Sequence, residues 1–257
     1  SDEMAGEINQ ELDRLETDAD LRALVVTGRD PSFCSGANVK RMARADRERT
    51  EEPPLPAGGD PWELLEQRWD ESRDGSSDRA SGVRFVPVRL HNLRKPSIAA
   101  VNGYAMGLGL GIALSCDVRI ASESAKMSET FIRRGLIPAD GSCWQLPRIV
   151  GLGNAMMMQY TGDILEADEA LRIGLVNRVV PHGALMDATM EFAGRLADGA
   201  TYSMALIKRL VHTSLKVDFE ESMRLAGSAQ AIASRTEDHG EGVRAFVEKR
   251  KPAFKGR

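Results

Sequence analysis

The chain has 257 residues, a net charge of −4 and 42% hydrophobic residues, enough to bury one large core. The acidic balance argues against nucleic acid as a main partner, because phosphate binding needs a surplus of Lys and Arg on one face, and no apolar run approaches a membrane span or a secretory leader. The cysteines Cys34, Cys116 and Cys143 lack C-x-x-C spacing, so neither a disulfide framework nor a zinc site is indicated, and the expected setting is reducing and cytoplasmic.

In chain order, Ser1-Asp2-Glu3 can cap an amphipathic helix carrying Met4, Ile8, Leu12 and Leu15. The abrupt opening suggests a missing N-terminal segment. Leu21 to Gly28 is a β-branched run ended by glycine and reads as a buried strand. A first glycine turn follows, Ser35-Gly36-Ala37-Asn38-Val39-Lys40. From Arg41 to about Ser81 charges dominate and Pro53-Pro54, Pro56 and Gly58-Gly59 break the backbone, with a short helix expected from Pro61 to Asp70. This stretch is expected to be an exposed excursion, mobile or a lid.

Val83 to Leu93 has helical spacing, Lys95-Pro96 ends it, and Ser97 to Val101 resumes as a strand. It leads into a second turn, Asn102 to Gly111, after which Gly107 to Cys116 reads as a small-residue helix and Val118 to Ala121 as a short strand. Strands alternating with helices predict an α/β fold with a mostly parallel sheet. After Pro147 the pattern is helical to the end, over Asn154–Tyr160, Glu166–Ile173, Leu185–Leu196, Tyr202–Ser214, Phe219–Ala233 and Glu241–Lys251.

The two turns suggest two halves of an oxyanion hole. A thioester carbonyl that becomes an enolate needs two preorganised donors, and backbone N–H groups at a loop and at a helix N-terminus supply them without side-chain entropy. Either turn alone is more simply a strand-to-helix connection; two in succession favour the functional reading. A dinucleotide loop would need glycine at 107, 109 and 112, but position 112 is Ile.

At these residues the chain resembles the crotonase superfamily, the enoyl-CoA hydratase/isomerase group. The resemblance is carried by Ala23 to Gly28 with Phe33 to Lys40, by Lys95 to Gly107, and by Cys116 to Ala121. Gly135 to Pro138, Leu146 to Gly151, Thr161-Gly162, Gly174 to Asn177 and Ala245 to Arg250 extend it over nearly the whole chain in the family's order. It implies a spiral of ββα units over 1–195 and a helical region over 196–257 that forms a homotrimer or hexamer. It also implies an acyl-CoA or enoyl-CoA thioester as substrate, no metal, and no cofactor beyond the coenzyme A of the substrate itself. The two donors then fall on the N–H groups of Ala37 and Leu108, with Ser35, Gly36, Asn38, Val39, Lys40 and Gly107 along the thioester. Phe246 and Lys249 match a pattern in which the last helix, sometimes a neighbouring subunit's, touches CoA. Members usually begin with a β-hairpin, which fits a missing segment here.

The departure lies in the acid/base groups. Hydratases of this family carry two glutamates, and the positions that match them are Gly111 and Phe131. Neither can transfer a proton. Asp140 is the best replacement, in a loop where related members carry an acid one position earlier, at the place of Ala139; its bland alternative is a helix N-cap before Gly141-Ser142. Glu129 is the second candidate, read more simply as a surface strand residue paired with Arg133 or Arg134. Met127, Phe131, Ile132 and Trp144 would line an acyl pocket if their loop covers the site, and His91 and His182 have no partner spacing. A single carboxylate suits a 1,3-proton shift, so double-bond isomerisation is expected. The alternatives are an enoyl-CoA hydratase or acyl-CoA hydrolase with a non-standard acid/base, or a non-catalytic acyl-CoA-binding protein.

Overall fold

The computed structural model describes residues 2–38, 60–66 and 85–257. Val39, Lys40 and most of the 41–81 excursion lie outside the described residues, as do positions 83 and 84 of the helix expected from Val83. Helix α1 covers Asp2–Thr17 and sinks Leu12 and Leu15 into the core, while Met4 stays half exposed. Strands β1 (Leu24–Thr27) and β2 (Ser32–Cys34) follow, and a short helix α2 covers 61–66. Helix α3 (Val86–Asn92) precedes β3 (Ser97–Val101), β4 (Tyr104–Met106) and α4 (Leu108–Leu114). Then come β5 (Val118–Ser122), β6 (Lys126–Ser128), α5 (Ser142–Val150), α6 (Leu152–Thr161), β7 (Leu165–Glu166), α7 (Ala167–Arg172) and β8 (Arg178–Val180). Helices α8 (Leu185–Ala197), α9 (Thr201–Ser214), α10 (Phe219–Ala233) and α11 (Glu237–Val247) close the chain.

The strands sort into two sheets, one in the order β1-β3-β5-β8 and the other β2-β4-β6-β7. Every pair is parallel except β6 with β7. Each pass of the chain therefore lays one strand in the first sheet and the next in the second, a winding spiral of α/β units. Residues Ser97 to Val101 are all buried, as befits a central parallel strand covered on both faces, and this is why they read as one small apolar run. Leu90, Leu93, Leu110, Met127, Leu146 and Leu175 fill the main core, each worth about 1.5–3 kcal/mol when removed from water.

Several short strands carry no sequence signal. β2, β4, β6, β7 and β8 have two or three residues each, too few for an alternation to show, and exist because a neighbour pairs with them. Strands β7 and β8 both interrupt the stretch expected to be helical, and Glu166, expected to open a helix, ends β7 instead. The last helix also differs: it starts at Glu237, where the Thr236 hydroxyl accepts the His239 N–H at 3.1 Å, and ends at Val247. Lys249 lies past that end in the left-handed region at φ 53°.

Candidate functional site

The register of the second sheet assembles the site. Ser32 pairs with Tyr104 and Cys34 with Ala105, while Met106 pairs with Ser128, so β2, β4 and β6 all end at the same edge. The residues that follow, Ser35 to Asn38, Gly107-Leu108 and Glu129, leave that edge side by side. Carboxyl ends of parallel strands are where α/β sheets usually place ligands.

The two turns touch. Gly36, at φ 91°, adopts a backbone that other residues avoid, and a Cβ there would lie 2.6 Å from the Met106 carbonyl oxygen and 3.8 Å from the Leu108 nitrogen. Gly109 is pressed against the Cys34 carbonyl so closely that any side chain would overlap it. Leu108 opens α4, and a first-turn N–H has no acceptor within its own helix. Ser35, Ala37 and Asn38 are exposed beside it. Gly107 N–H is fastened to the Ser128 carbonyl at 2.8 Å, and the Phe131 ring lies against Gly107, 3.4 Å from where a Cβ would stand. Phe131 is thus packed against the second turn.

Asp140 reaches the site from the loop before α5. It is 2% exposed, and its Oδ1 accepts the Ser142 N–H at 3.0 Å and the Ser142 hydroxyl at 2.5 Å. The N-cap of α5 is Gly141, which makes no side-chain cap bond, so Asp140 is not the cap that the alternative reading expects; its contact with Ser142 is a local turn two residues on and occupies one oxygen only. Oδ2 has no partner among the described residues and points at Gly111, where a Cβ would overlap it and sit 2.6 Å from Cγ. The carboxyl group thus fills the space of the side chain that position 111 lacks. Burial raises its pKa above the ordinary aspartate value, with the Ser142 donors opposing.

Glu129 is the correction. It is 0% exposed rather than on the surface, and neither carboxylate oxygen has a partner among the described residues. The arginines expected to pair with it do not: Arg133 binds Asp163 at 3.0 Å and Arg134 donates to the Thr130 carbonyl. Burial first, and then the nearby charge of Asp140, push its pKa up to about 8, while the Ser142 hydroxyl, already committed to Asp140, offsets little of this. The signal that could have found it is positional, since it is the first residue after a strand that ends beside Gly107.

Other expected contacts fall elsewhere. Met127 is core, and Ile132 is half exposed. Trp144 lines a cavity of about 460 Å³ at the far end of α4, with its ring edge on His91 at 5.2 Å and the Arg148 guanidinium over its face at 4.2 Å. That cavity contains none of the residues of either turn. His91 also stacks on His212, and His182 bonds to Ser122 at 3.1 Å and Asp30 at 3.3 Å, so both histidines have structural partners. Phe246 is 86% exposed and, with Val247 and Phe254, borders another hollow that also holds no turn residue. Lys249 beyond it is exposed as well.

A family model described as enoyl-CoA hydratase/isomerase matches residues 1–68 and 57–257. The short-chain-enoyl-CoA hydratase of Clostridium acetobutylicum is 33% identical over 98% of this chain and 87% of its own length. The 1,2-epoxyphenylacetyl-CoA isomerase of Escherichia coli is 34% identical over 100% of this chain and 90% of its own. A crystal structure of an enoyl-CoA hydratase from Bacillus anthracis superimposes with a TM-score of 0.82 at 30% identity, covering 100% of this chain and 90% of that one.

Proposed function

Since this chain belongs to the enoyl-CoA hydratase/isomerase family of the crotonase superfamily, we propose that it shifts the double bond of an enoyl-CoA thioester, with Asp140 as its proton carrier. It is an acyl-CoA enzyme of that family; the direction of the chemistry is what its own residues must decide. The supporting observation is the place of the Asp140 carboxyl, with Oδ2 unpaired and standing in the space of a side chain at position 111.

In this mechanism the thioester carbonyl lies between the N–H groups of Ala37 and Leu108. Asp140 Oδ2 takes a proton from the carbon chain, the electron pair moves into the carbonyl, and the two N–H groups hold the enolate oxygen. Oδ2 then gives a proton, exchanged with solvent in the course of turnover, to another carbon of the conjugated system, so one carboxyl group closes the cycle with no net proton change. Phe131, at the position that the resemblance matches to the second hydratase glutamate, offers no acid for hydration, and its ring lies beside Gly107. Ser35, Gly36 and Asn38 border the thioester in this reading; Phe246 and Lys249 touch CoA bound to their own or a neighbouring subunit. The large apolar side chains left exposed on α9 and α10, among them Ile207, Val211, Phe219 and Met223, support assembly into a homotrimer or hexamer.

The test is incubation with a panel of enoyl-CoA and acyl-CoA thioesters in D₂O, read by mass spectrometry and by the position of the double bond. Wild type is expected to incorporate deuterium and move the bond without adding the mass of water. Asp140→Asn is expected to lose about 10²–10⁴ in rate with CoA-thioester affinity nearly unchanged. Full activity in that variant, or a product heavier by one water, would overturn the assignment.

A further inference from the structure

We infer that Glu129 and Asp140 form one acid–base pair that carries a single proton, with the proton kept on Glu129 so that Asp140 is the charged, proton-accepting member. This rests on Asp140 being the base proposed above. It also adds a residue that no match to a hydratase glutamate position singles out.

The geometry supports both halves. Glu129 is wholly buried with two unpaired oxygens, and Asp140 is buried with one. Two carboxyl groups buried together do not both ionise at neutral pH, because each raises the cost of ionising the other. The proton goes to the group with less to stabilise its charge. Asp140 has two donors on Oδ1, both from Ser142, and Glu129 has none among the described residues. Charge therefore sits on Asp140 and the proton on Glu129.

The surrounding groups leave this arrangement undisturbed. Cys143 on α5 is the other titratable group that feels the two carboxyls, and burial and their charges raise its pKa, so it stays a neutral thiol. Arg133 is turned to Asp163, Arg134 to Thr130, and Lys126 at the start of β6 to Glu166 at 3.1 Å. No cation among these neutralises Glu129. During turnover the substrate proton moves to Asp140 Oδ2, exchanges there with solvent, and a proton returns to carbon, while the Glu129 proton stays in place. Glu129 is thus a positioning residue: it keeps a second negative charge away from the developing enolate.

That role sets an upper pH limit. Burial and the neighbouring Asp140 charge push the Glu129 pKa up to about 8, and above this the enolate would form beside two charges. Deuterium exchange into substrate should fall about tenfold per pH unit beyond that point in wild type, and Glu129→Gln, which cannot ionise, should hold its rate to higher pH. A second measurement does not depend on turnover or on that variant. Infrared titration of the intact protein should show a carboxylic acid that ionises near pH 8 in wild type, and in Asp140→Asn the same group should ionise at lower pH because the neighbouring charge is gone. An alkaline limb unchanged in Glu129→Gln, or a Glu129 titration unmoved by Asp140→Asn, would overturn the pair. Coupled titration without any deuterium exchange in wild type would instead leave the pair standing and refute the proposed reaction.

Discussion

Gly111→Ala is the sharpest perturbation of this site, because it adds one methyl group where the Asp140 carboxyl stands. The new Cβ would overlap Oδ2 and lie 2.6 Å from Cγ and 3.0 Å from the Asp140 Cβ, so the aspartate must swing away. Its Oδ1 would then leave the Ser142 N–H and hydroxyl. Hydrogen bonds to a charged group are worth about 1.5–3 kcal/mol each. Alanine recovers about 1 kcal/mol of helix propensity over glycine inside α4, leaving a net loss of about 2 kcal/mol or more. Urea unfolding at fixed protein concentration, run on wild type, Gly111→Ala, Asp140→Ala and the double variant, isolates the coupling. With Asp140 removed, the same glycine substitution is expected to be neutral or stabilising by up to about 1 kcal/mol. Proton exchange into substrate should fall in Gly111→Ala by at least about 10²-fold, as for a misplaced base. An equal stability effect in both backgrounds, or an active Gly111→Ala enzyme, would refute the claim that Asp140 occupies the space of the missing side chain.

Two further outcomes concern the frame around the site. His91, stacked on His212 at 4.2 Å, has its pKa lowered to about 4, first by burial and then by the charges of His212, Lys208 and Lys216, with Asp117 opposing. Between pH 4 and the unfolded value near 6.5 the unfolded chain binds more protons, so stability is complete above about 6.5 and drains away as pH falls toward 4. The melting temperature should therefore drop between pH 7.5 and 4.5, and a His91→Phe variant that leaves this slope as steep would remove His91 as its source. Arg119, 6% exposed, donates to the carbonyls of Leu175 and Cys116 at 2.8 Å each, which ties β5 to the segment before β8. Arg119→Met leaves both carbonyls buried and unpaired at about 1–3 kcal/mol apiece, a loss visible as a lower urea midpoint; an unchanged midpoint would show that water reaches them.

The long elements were legible because their residues repeat a signal. Ser97 to Val101 and helices such as Phe219–Ala233 carry enough positions for a buried run or a helical period to show, and the family motifs around both turns are dense. The second sheet was not legible, since its strands have two or three residues and owe their existence to partners far along the chain. That sheet is also what makes Glu129 a site residue. In sequence it is an acid two positions before Phe131 with arginines nearby, and surface pairing is the ordinary reading of such a cluster. Only the pairing of Met106 with Ser128 carries the following residue to the edge beside Gly107.

Gly111 shows the same point from the other side. Read along the chain, the resemblance sets Gly111 where hydratases of the family carry a glutamate, and the expectation that follows is a reaction served by one carboxylate. Folded, the absence of a Cβ at that position is what admits the Asp140 carboxyl from a separate loop. A carboxyl that reaches this place from the loop is held differently from one carried by α4. A glutamate on α4 would carry its charge on a flexible three-carbon arm, whereas Asp140 is short and fixed by two bonds from Ser142, with its free oxygen aimed at α4. In the proposed reaction a carboxyl held that way would take and return one proton along a single face of the substrate, with Phe131 and the proposed neutral Glu129 beside it supplying no second base.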